Sequence, residues 1–302
     1  ALPAKPFDPR HHAIESGPVA EISPVRARGE HPLLGAPLSL SAHPTQRYWE
    51  SLIDLNELRF LADHRIGEVV VLPAAAIMEM ALAAGRGALG DVPLMIEDAR
   101  FTRAVTLAGD APLELQLALG EEGPGRYGFR LSSRRAASGD SWTLHATGRI
   151  RIAIETEPAA PLDLRAVRER CRDIEQGPTF YDRARAVGLG YGPAFQGIAR
   201  VHLGDAEALA ELTLPSPAGS ARPFIVHPAL LDAGVQAAAA VSLCRGSTTL
   251  GMPVGIRSLR VHKPGATPSL SHASLREEAG GRFDADVRLL DDQGEIIIEI
   301  NG

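Results

Sequence analysis

The chain has 302 residues, of which 45% are hydrophobic and 23% are charged, and this composition is typical of a globular protein with one large domain or two modest ones. Its net charge of −6 gives no reason to expect binding to nucleic acid or to an anionic membrane. The two cysteines, Cys171 and Cys244, lie outside any metal-type spacing, which argues against a zinc site and fits the reducing cytoplasm. No apolar run approaches the roughly 20 residues of a membrane span, and the amino terminus lacks a signal-peptide core.

The first half of the chain is predicted to contain strands and one long helix. Residues 1–30 are rich in proline, arginine and small residues without periodicity, so they are expected to be a linker within a longer protein. The ordered part is expected to begin at His31. It continues with a strand at Gln46–Ile53, a helical turn at Leu58–Leu61, a strand at Glu68–Leu72 and an Ala-rich helix from Pro73 to about Ala84. Four strand-like segments follow, at Pro93–Leu107, Leu113–Leu119, Tyr127–Ser132 and Trp142–Ile154.

An acidic, proline-rich segment at residues 155–161 is predicted to separate the two halves. The second half repeats the order of the first, with a long apolar helix followed by strands and glycine-rich turns. Its predicted helices are Leu162–Cys171, Phe180–Val187 and Ala229–Leu243. Its predicted strands are Ala194–Leu203, Ala206–Leu214, Pro253–His262, Ser269–Arg276, Phe283–Leu290 and Glu295–Ile300.

Each half contains a long helix that follows an apolar run and a proline, which predicts two similar units in tandem. His64 lies shortly before the run that leads into the first helix. Pro228 suits the first position of the second helix, where its missing N–H costs nothing. Asp232 and Gln236 lie four residues apart and project from one face of that helix. A carboxyl group in such apolar surroundings is costly unless it is paired, protonated or part of a functional site. The helix sequence alone does not distinguish a satisfied core carboxyl from a functional one.

Four short motifs follow one another along the chain. They are HPLLG at His31, DHRIGEVVVLP ending at Pro73, YGPAF beginning at Tyr191 and HPALLDAGVQ ending at Gln236. In this order they resemble the signature motifs of the dehydratase domains of modular polyketide synthases, and the resemblance runs from His31 to the end of the chain.

Three positions depart from the family pattern. The family writes its first motif HxxxGxxxxP, and this chain has Glu68 at the glycine position, with Gly67 one residue earlier. The family favours Pro-Gly-Thr where this chain has Pro73-Ala74-Ala75. The sequence Met252-Pro253-Val254-Gly255-Ile256 lacks the aromatic residues of the family's LPFxW.

The resemblance implies an α+β double hot-dog fold, in which each of two tandem units wraps a curled antiparallel sheet around a central helix. Residues 31–154 would form the first unit and supply His64, and residues 162–302 would form the second and supply Asp232. Residues 1–30 resemble the linker that follows an acyltransferase. The active site would lie between the units, where Gln236 orients Asp232 and the turn Tyr191-Gly192-Pro193 shapes the pocket, with the Tyr191 hydroxyl on the Asp232 side.

The expected chemistry follows from these groups. Dehydrating a 3-hydroxyacyl thioester needs a base for the α-proton and an acid for the departing hydroxyl. Histidine has a reference pKa of about 6.5, so neutral His64 suits the base. Asp232 must be protonated well above the reference pKa of about 3.9, and desolvation in an apolar helix acts in that direction. Backbone N–H groups after Pro73, beginning at Ala74, are the candidates for binding the enolate-like oxygen.

Three hypotheses of function remain open. Dehydration of a 3-hydroxyacyl chain tethered to an acyl carrier protein is favoured, because His64 and Asp232 are both present. A dehydratase that also closes a pyran ring by oxa-Michael addition, or a double-bond isomerase, would keep the same fold, although isomerases of the family usually lack the aspartate. An inactive structural domain is the least favoured.

No cofactor or metal is expected on this chain, because the phosphopantetheine arm that carries the substrate belongs to the acyl carrier protein. The expected partners are that carrier protein, the neighbouring acyltransferase and ketoreductase domains and a second copy in a homodimer. The segment Arg165–Arg172 is a possible carrier docking face, but a solvated helix face is the preferred interpretation. Structural roles are expected for His31, His43 and His227, and core positions for Met78 and Met80.

Overall fold

The structure is a computed structural model. It describes residues 31–38, 40, 41, 43, 45–107, 112–135, 141–153, 160–246, 251–278 and 282–302. The predicted linker at residues 1–30 lies outside the described residues, as do residues 155–161 apart from the last two positions. Within the part of the chain that is described, no helix is long and apolar enough to span a membrane.

Strands dominate both halves, and each half has one long helix. The first half contains β1 (Ala36–Leu38), β2 (Gln46–Ile53), a 3-10 turn (Arg59–Asp63), β3 (His64–Ile66), β4 (Val69–Val70), α1 (Ala74–Leu89), β5 (Leu94–Phe101), β6 (Leu113–Gly123), β7 (Arg126–Arg135) and β8 (Thr143–Ile152). The second half contains α2 (Leu164–Arg170), β9 (Asp173–Gln176), α3 (Gly177–Ala186), β10 (Leu189–Tyr191), 3-10 turns at Pro193–Phe195 and Ser216–Ala218, β11 (Ile198–Leu203), β12 (Glu207–Leu212), α4 (Pro228–Leu243), β13 (Gly255–Val261), β14 (Leu270–Glu278), β15 (Arg282–Leu290) and β16 (Ile296–Asn301).

The long helices α1 and α4 form the centre of the molecule. Helix α1 packs against β5, β6, β7 and β8, whereas α4 packs against β11, β12, β14 and β15, and the two helices contact each other. Small residues allow this close packing: a Cβ atom at Gly234 of α4 would lie 2.8 Å from the side chain of Leu289. Met78 and Met80 are each 1% exposed, which confirms their predicted core positions.

One continuous antiparallel sheet surrounds the two helices. Its strand order is β1-β2-β6-β7-β8-β5-β13-β16-β15-β14-β12-β11-β9. The pairing of β5 with β13, where Ile96 lies opposite Leu259, joins the half-sheet of the first unit to that of the second. Both of these side chains are buried. Each unit is therefore a sheet wrapped around a helix, as predicted, and the α+β class is confirmed.

Several predicted boundaries were wrong, because contacts distant in sequence decide them. The segment Pro93–Leu107 was predicted as one strand, but the strand, β5, ends at Phe101. The following residues run beside the chain that leads into α1, with Leu72 N donating to Val105 O at 2.9 Å. The segment Ala194–Leu203 is a strand only from Ile198, since Pro193–Phe195 forms a 3-10 turn. The short strands β1, β3, β9 and β10 were missed, because three or four residues show no clear alternation.

Candidate active site

A small sheet made from both units holds His64. Strand β3 pairs with β10 of the second unit, and Tyr191 lies directly opposite His64. Strands β3 and β4 are joined by a turn in which Gly67 has φ of 56°, a value that favours glycine at this position. The Gly67 N–H also donates to Gly188 O at 2.8 Å. The displaced glycine of the first motif thus forms the turn that follows His64.

The imidazole of His64 has a defined orientation. Its Nδ1 lies 2.7 Å from the carbonyl oxygen of Val71. Because a carbonyl can only accept, Nδ1 carries the proton and the Nε2 lone pair is left free in the neutral ring. The side chain is 12% exposed. His64 is therefore arranged to accept a proton at Nε2.

Asp232, from the second unit, faces this nitrogen. Its Oδ1 lies 3.9 Å from His64 Nε2, and its side chain is 13% exposed. Burial raises the pKa of Asp232, and this outweighs the opposing effects of His64 and of the hydrogen bond from Gln236. The carboxyl group consequently keeps its proton to a higher pH than an exposed aspartate. The pair combines a proton acceptor with a proton donor.

Gln236 is fixed by a network that orients Asp232. Its Nε2 donates to Asp232 Oδ2 at 2.8 Å and to the carbonyl oxygen of Phe195 at 3.2 Å. Its Oε1 accepts from the hydroxyl of Tyr181 at 3.0 Å, and that hydroxyl accepts from Ile198 N at 2.8 Å. Sequence reasoning missed Tyr181, which lies in a predicted helix of otherwise ordinary composition. The i,i+4 spacing of Asp232 and Gln236 did indicate their contact.

Tyr191 lies beside the pair. Its ring centroid is 5.8 Å from that of His64 and 6.0 Å from that of Tyr181. Burial raises the pKa of Tyr191 well above its ordinary value, and the nearby Asp232 carboxyl contributes in the same direction. No hydrogen bond joins its hydroxyl to Asp232 among the described residues. Tyr191 therefore supplies a neutral phenol at the edge of the site.

The start of α1 lies next to the segment that supports His64. Pro73 is the N-cap of α1, Ala74 is its first residue, and no side chain caps this end. The N–H groups of the first helical turn therefore lack a side-chain partner. Val71, whose carbonyl holds the His64 ring, is two residues before Pro73. The positive end of the α1 dipole thus lies close in sequence to the His64 contact.

A buried carboxylate that sequence reasoning did not single out joins the two units. Glu79 of α1 is 0% exposed. Its Oε1 accepts from Ile225 N at 2.6 Å and from His31 Nε2 at 3.1 Å, and its Oε2 accepts from Val226 N at 2.9 Å. This places His31 in a structural role. Ile225 and Val226 lead directly into α4, so Glu79 holds the segment that carries Asp232.

His227 caps α4 and is expected to make stability depend on pH. Its Nδ1 accepts from Ala229 N at 3.1 Å, its Nε2 donates to Ala218 O at 3.2 Å, and burial lowers its pKa to about 4. The free energy of unfolding should therefore be highest above the unfolded pKa of about 6.5 and fall as the pH decreases from there towards 4. Between about pH 7.5 and pH 5 this contribution amounts to about 2 kcal/mol.

Urea unfolding of the wild type and of His227→Asn at both pH values checks this prediction. Asparagine retains a capping oxygen but does not titrate in this range. The variant should therefore lose about 2 kcal/mol less than the wild type on acidification. An equal loss in both proteins would contradict the assignment to His227.

Arg165 lies on the solvent-exposed face of α2. The Arg165 side chain is 90% exposed and pairs with Glu169, four residues along the same helix. This agrees with a solvated helix face. Among the described residues, no group of three His, Cys, Asp or Glu side chains is arranged as a metal site.

Two family models match this chain. The one described as polyketide synthase dehydratase domain matches residues 31–134, and the one described as polyketide synthase dehydratase N-terminal domain matches residues 159–302. The chain belongs to the polyketide synthase dehydratase domains, and the resemblance drawn from its four motifs is confirmed.

Curated relatives are much longer than this chain. A mycocerosic acid synthase-like polyketide synthase of Mycolicibacterium smegmatis is 30% identical over 279 residues, which are 90% of this chain and 13% of the relative. The phthioceranic/hydroxyphthioceranic acid synthase of Mycobacterium tuberculosis is 31% identical over 281 residues, with the same two coverages. The chain thus spans about an eighth of the length of these relatives.

Solved structures confirm the double hot-dog prediction. The dehydratase domain from the CurF module of curacin polyketide synthase is 25% identical, with a TM-score of 0.82 over 90% of this chain and 96% of that chain. The dehydratase domain of a mycocerosic acid synthase-like polyketide synthase is 28% identical, with a TM-score of 0.80 over 90% of this chain and 95% of that chain. These neighbours are double hot-dog domains.

Proposed function

We propose that this chain removes water from a 3-hydroxyacyl thioester carried by an acyl carrier protein and forms the α,β-unsaturated thioester. The observation that carries the proposal is the pair at the junction of the units. His64 offers a free Nε2, and 3.9 Å away Asp232 has a raised pKa. One group can take a proton while the other gives one, which is what an elimination of water requires.

In the proposed reaction, His64 Nε2 removes the α-proton. The C–H electron pair becomes the new double bond, and the C–O bond to the β-hydroxyl breaks. Asp232 donates its proton to the departing oxygen, which leaves as water. His64 is then cationic and Asp232 anionic, so the pair must exchange protons before the next turnover. The Val71 carbonyl stabilises the cationic ring through Nδ1, and Gln236 holds the carboxylate.

The thioester oxygen gains negative charge as the α-proton leaves. We assign its binding to the N–H groups at the start of α1, beginning at Ala74, where no side chain competes for them. The turn Tyr191-Gly192-Pro193 would form a wall of the pocket opposite α1. Because Tyr191 stays neutral, its phenol can donate a hydrogen bond to the substrate without adding charge.

Variants of a similar solved protein support the roles of the pair. The CurK dehydratase, 27% identical to this chain, has been solved as an Asp→Asn variant and as a His→Phe variant, and both are described as inactive mutants.

We propose that no prosthetic group is bound by this chain, since the carrier protein brings the phosphopantetheine arm. Acyltransferase and ketoreductase neighbours and a homodimer are proposed on the basis that the relatives are multidomain synthases.

Mass spectrometry of carrier-bound 3-hydroxyacyl chains tests the proposal. The wild-type domain should remove one water, and His64→Ala should lower the rate by about 10²–10⁴-fold because no other base replaces Nε2. Circular dichroism of the variant controls for its folding. A folded His64→Ala domain with the wild-type rate would overturn the proposed role of His64, and a wild type that dehydrates none of the chains would overturn the function.

The same assay separates dehydration from ring closure. One substrate should carry a second hydroxyl placed for addition to the new alkene, because cyclisation does not change the mass of the dehydrated product. Ultraviolet absorbance of a conjugated alkene would identify a plain dehydratase. A dehydrated product without that absorbance would identify a dehydratase that also forms a pyran.

A further inference from the structure

Asp63, the residue before His64, accepts two hydrogen bonds from the second unit. Asp63 Oδ2 accepts a hydrogen bond from Ala194 N at 2.8 Å, and the backbone oxygen of Asp63 accepts from Gly192 N at 2.7 Å. Both donors belong to the second unit. Pro193 has no N–H, so Ala194 offers the first free N–H of the 3-10 turn Pro193–Phe195. Asp63 thus caps a turn that lies 131 residues away in sequence.

The contact is tight enough to explain the glycine of this turn. A Cβ atom at Gly192 would lie 2.5 Å from both Cγ and Oδ1 of Asp63. Any larger residue would push the turn and the carboxylate apart. In the part of the chain that the structure describes, no lysine or arginine forms an ion pair with Asp63. Its carboxylate is therefore directed to the turn and not to a surface charge.

The capped turn ends at Phe195, which contacts His64 and also Gln236, the residue that holds Asp232. The ring centroid of Phe195 is 5.2 Å from that of His64. The carbonyl oxygen of Phe195 accepts from Gln236 Nε2 at 3.2 Å, and the same nitrogen holds Asp232. A shift of the turn would therefore change the surroundings of the base and the support of the acid together.

We infer that Asp63 is a positioning residue, which sets the separation of His64 from Asp232 by capping the turn that contacts the His64 ring and Gln236, the hydrogen-bond partner of Asp232. The inference rests on the proposed function. Asp63 is argued to act through Phe195 and Gln236 and not on the reacting atoms. Its loss should therefore lower kcat and leave KM nearly unchanged, because misplacing reacting groups by about 1 Å can cost about 10²-fold in rate.

Three variants of the domain test the inference with the carrier-bound substrate. Asp63→Ala should lower kcat by about 10- to 100-fold with KM within about twofold. Asp63→Asn keeps an oxygen that can accept from Ala194 N, so it should recover kcat to within about threefold of the wild type. Glu68→Ala is the matched control, since it removes an exposed acidic side chain from the nearby turn between β3 and β4 and should leave kcat unchanged.

Hydrogen exchange of the Ala194 amide provides a readout that does not depend on turnover. Exchange should be faster in Asp63→Ala than in the wild type and close to the wild-type rate in Asp63→Asn. Wild-type kcat in Asp63→Ala would overturn the inference, as would an Asp63→Asn variant as impaired as Asp63→Ala. If Asp63→Ala does not fold, Gly192→Ala tests the contact from the other unit, because its methyl group would collide with Asp63. Its kcat should fall about 10-fold, and an unchanged kcat would overturn the inference.

The two proposals fail in different ways. Failure of the proposed function would be seen in the wild-type domain, which would dehydrate no substrate. Failure of this inference would be seen as an active wild type with an equally active Asp63→Ala variant.

Discussion

Asp232→Asn is expected to lower the rate of dehydration by about 10²–10⁴-fold while the domain keeps its fold. Asparagine has nearly the same shape and can still bond to Gln236, but it cannot give a proton to the departing hydroxyl. Because burial raises the pKa of Asp232, the wild-type rate should also fall as the pH rises through that raised value and the carboxyl group loses its proton. Single-turnover assays on a carrier-bound substrate over a range of pH measure both effects.

Asp182→Asn is a matched control for this variant. Asp182 lies on α3 of the same unit, its side chain is 72% exposed, and it pairs with Arg185 on the surface. The same chemical change there should leave the rate unaltered. A folded Asp232→Asn domain with wild-type turnover would remove Asp232 from the mechanism and favour a different acid.

Glu79→Ala is expected to lower the free energy of unfolding by about 3–5 kcal/mol, which is the range for removing one partner of a buried ionic or hydrogen-bonded pair. The change leaves the backbone N–H groups of Ile225 and Val226 without their acceptor in a buried setting. It also removes the bond to His31. Urea unfolding followed by circular dichroism, with the wild type measured under the same conditions, gives the difference.

Glu79→Gln should fall between the wild type and Glu79→Ala, since the amide keeps one accepting oxygen but turns an N–H₂ group towards one of the donors. Glu68→Ala again serves as the exposed control and should lie within about 0.5 kcal/mol of the wild type. If all three variants unfold at the wild-type urea concentration, Glu79 does not join the units energetically.

Local sequence was sufficient to predict the two long helices, the strand-rich remainder and the two residues of the proposed catalytic pair. Apolar runs and prolines are local signals. They predicted α1 and α4 because a helix that is apolar on all sides can be recognised as buried from its own composition. Asp232 was conspicuous as a carboxyl group in such a helix, and Gln236 followed from the helical repeat. His64 was singled out by its motif, since nothing in its immediate neighbours distinguishes it from a surface histidine.

The contacts of Asp63, Glu79 and Tyr181 became visible only in the folded chain. Each bonds to a group far away in the sequence, and neither composition nor periodicity records which distant polar groups will meet. The same limit explains the missed strands β3 and β10, which pair with each other across the two units. Local patterns therefore predicted the elements of each unit, whereas the junction that brings His64 to Asp232 depends on contacts between the units, and these form only when the chain folds.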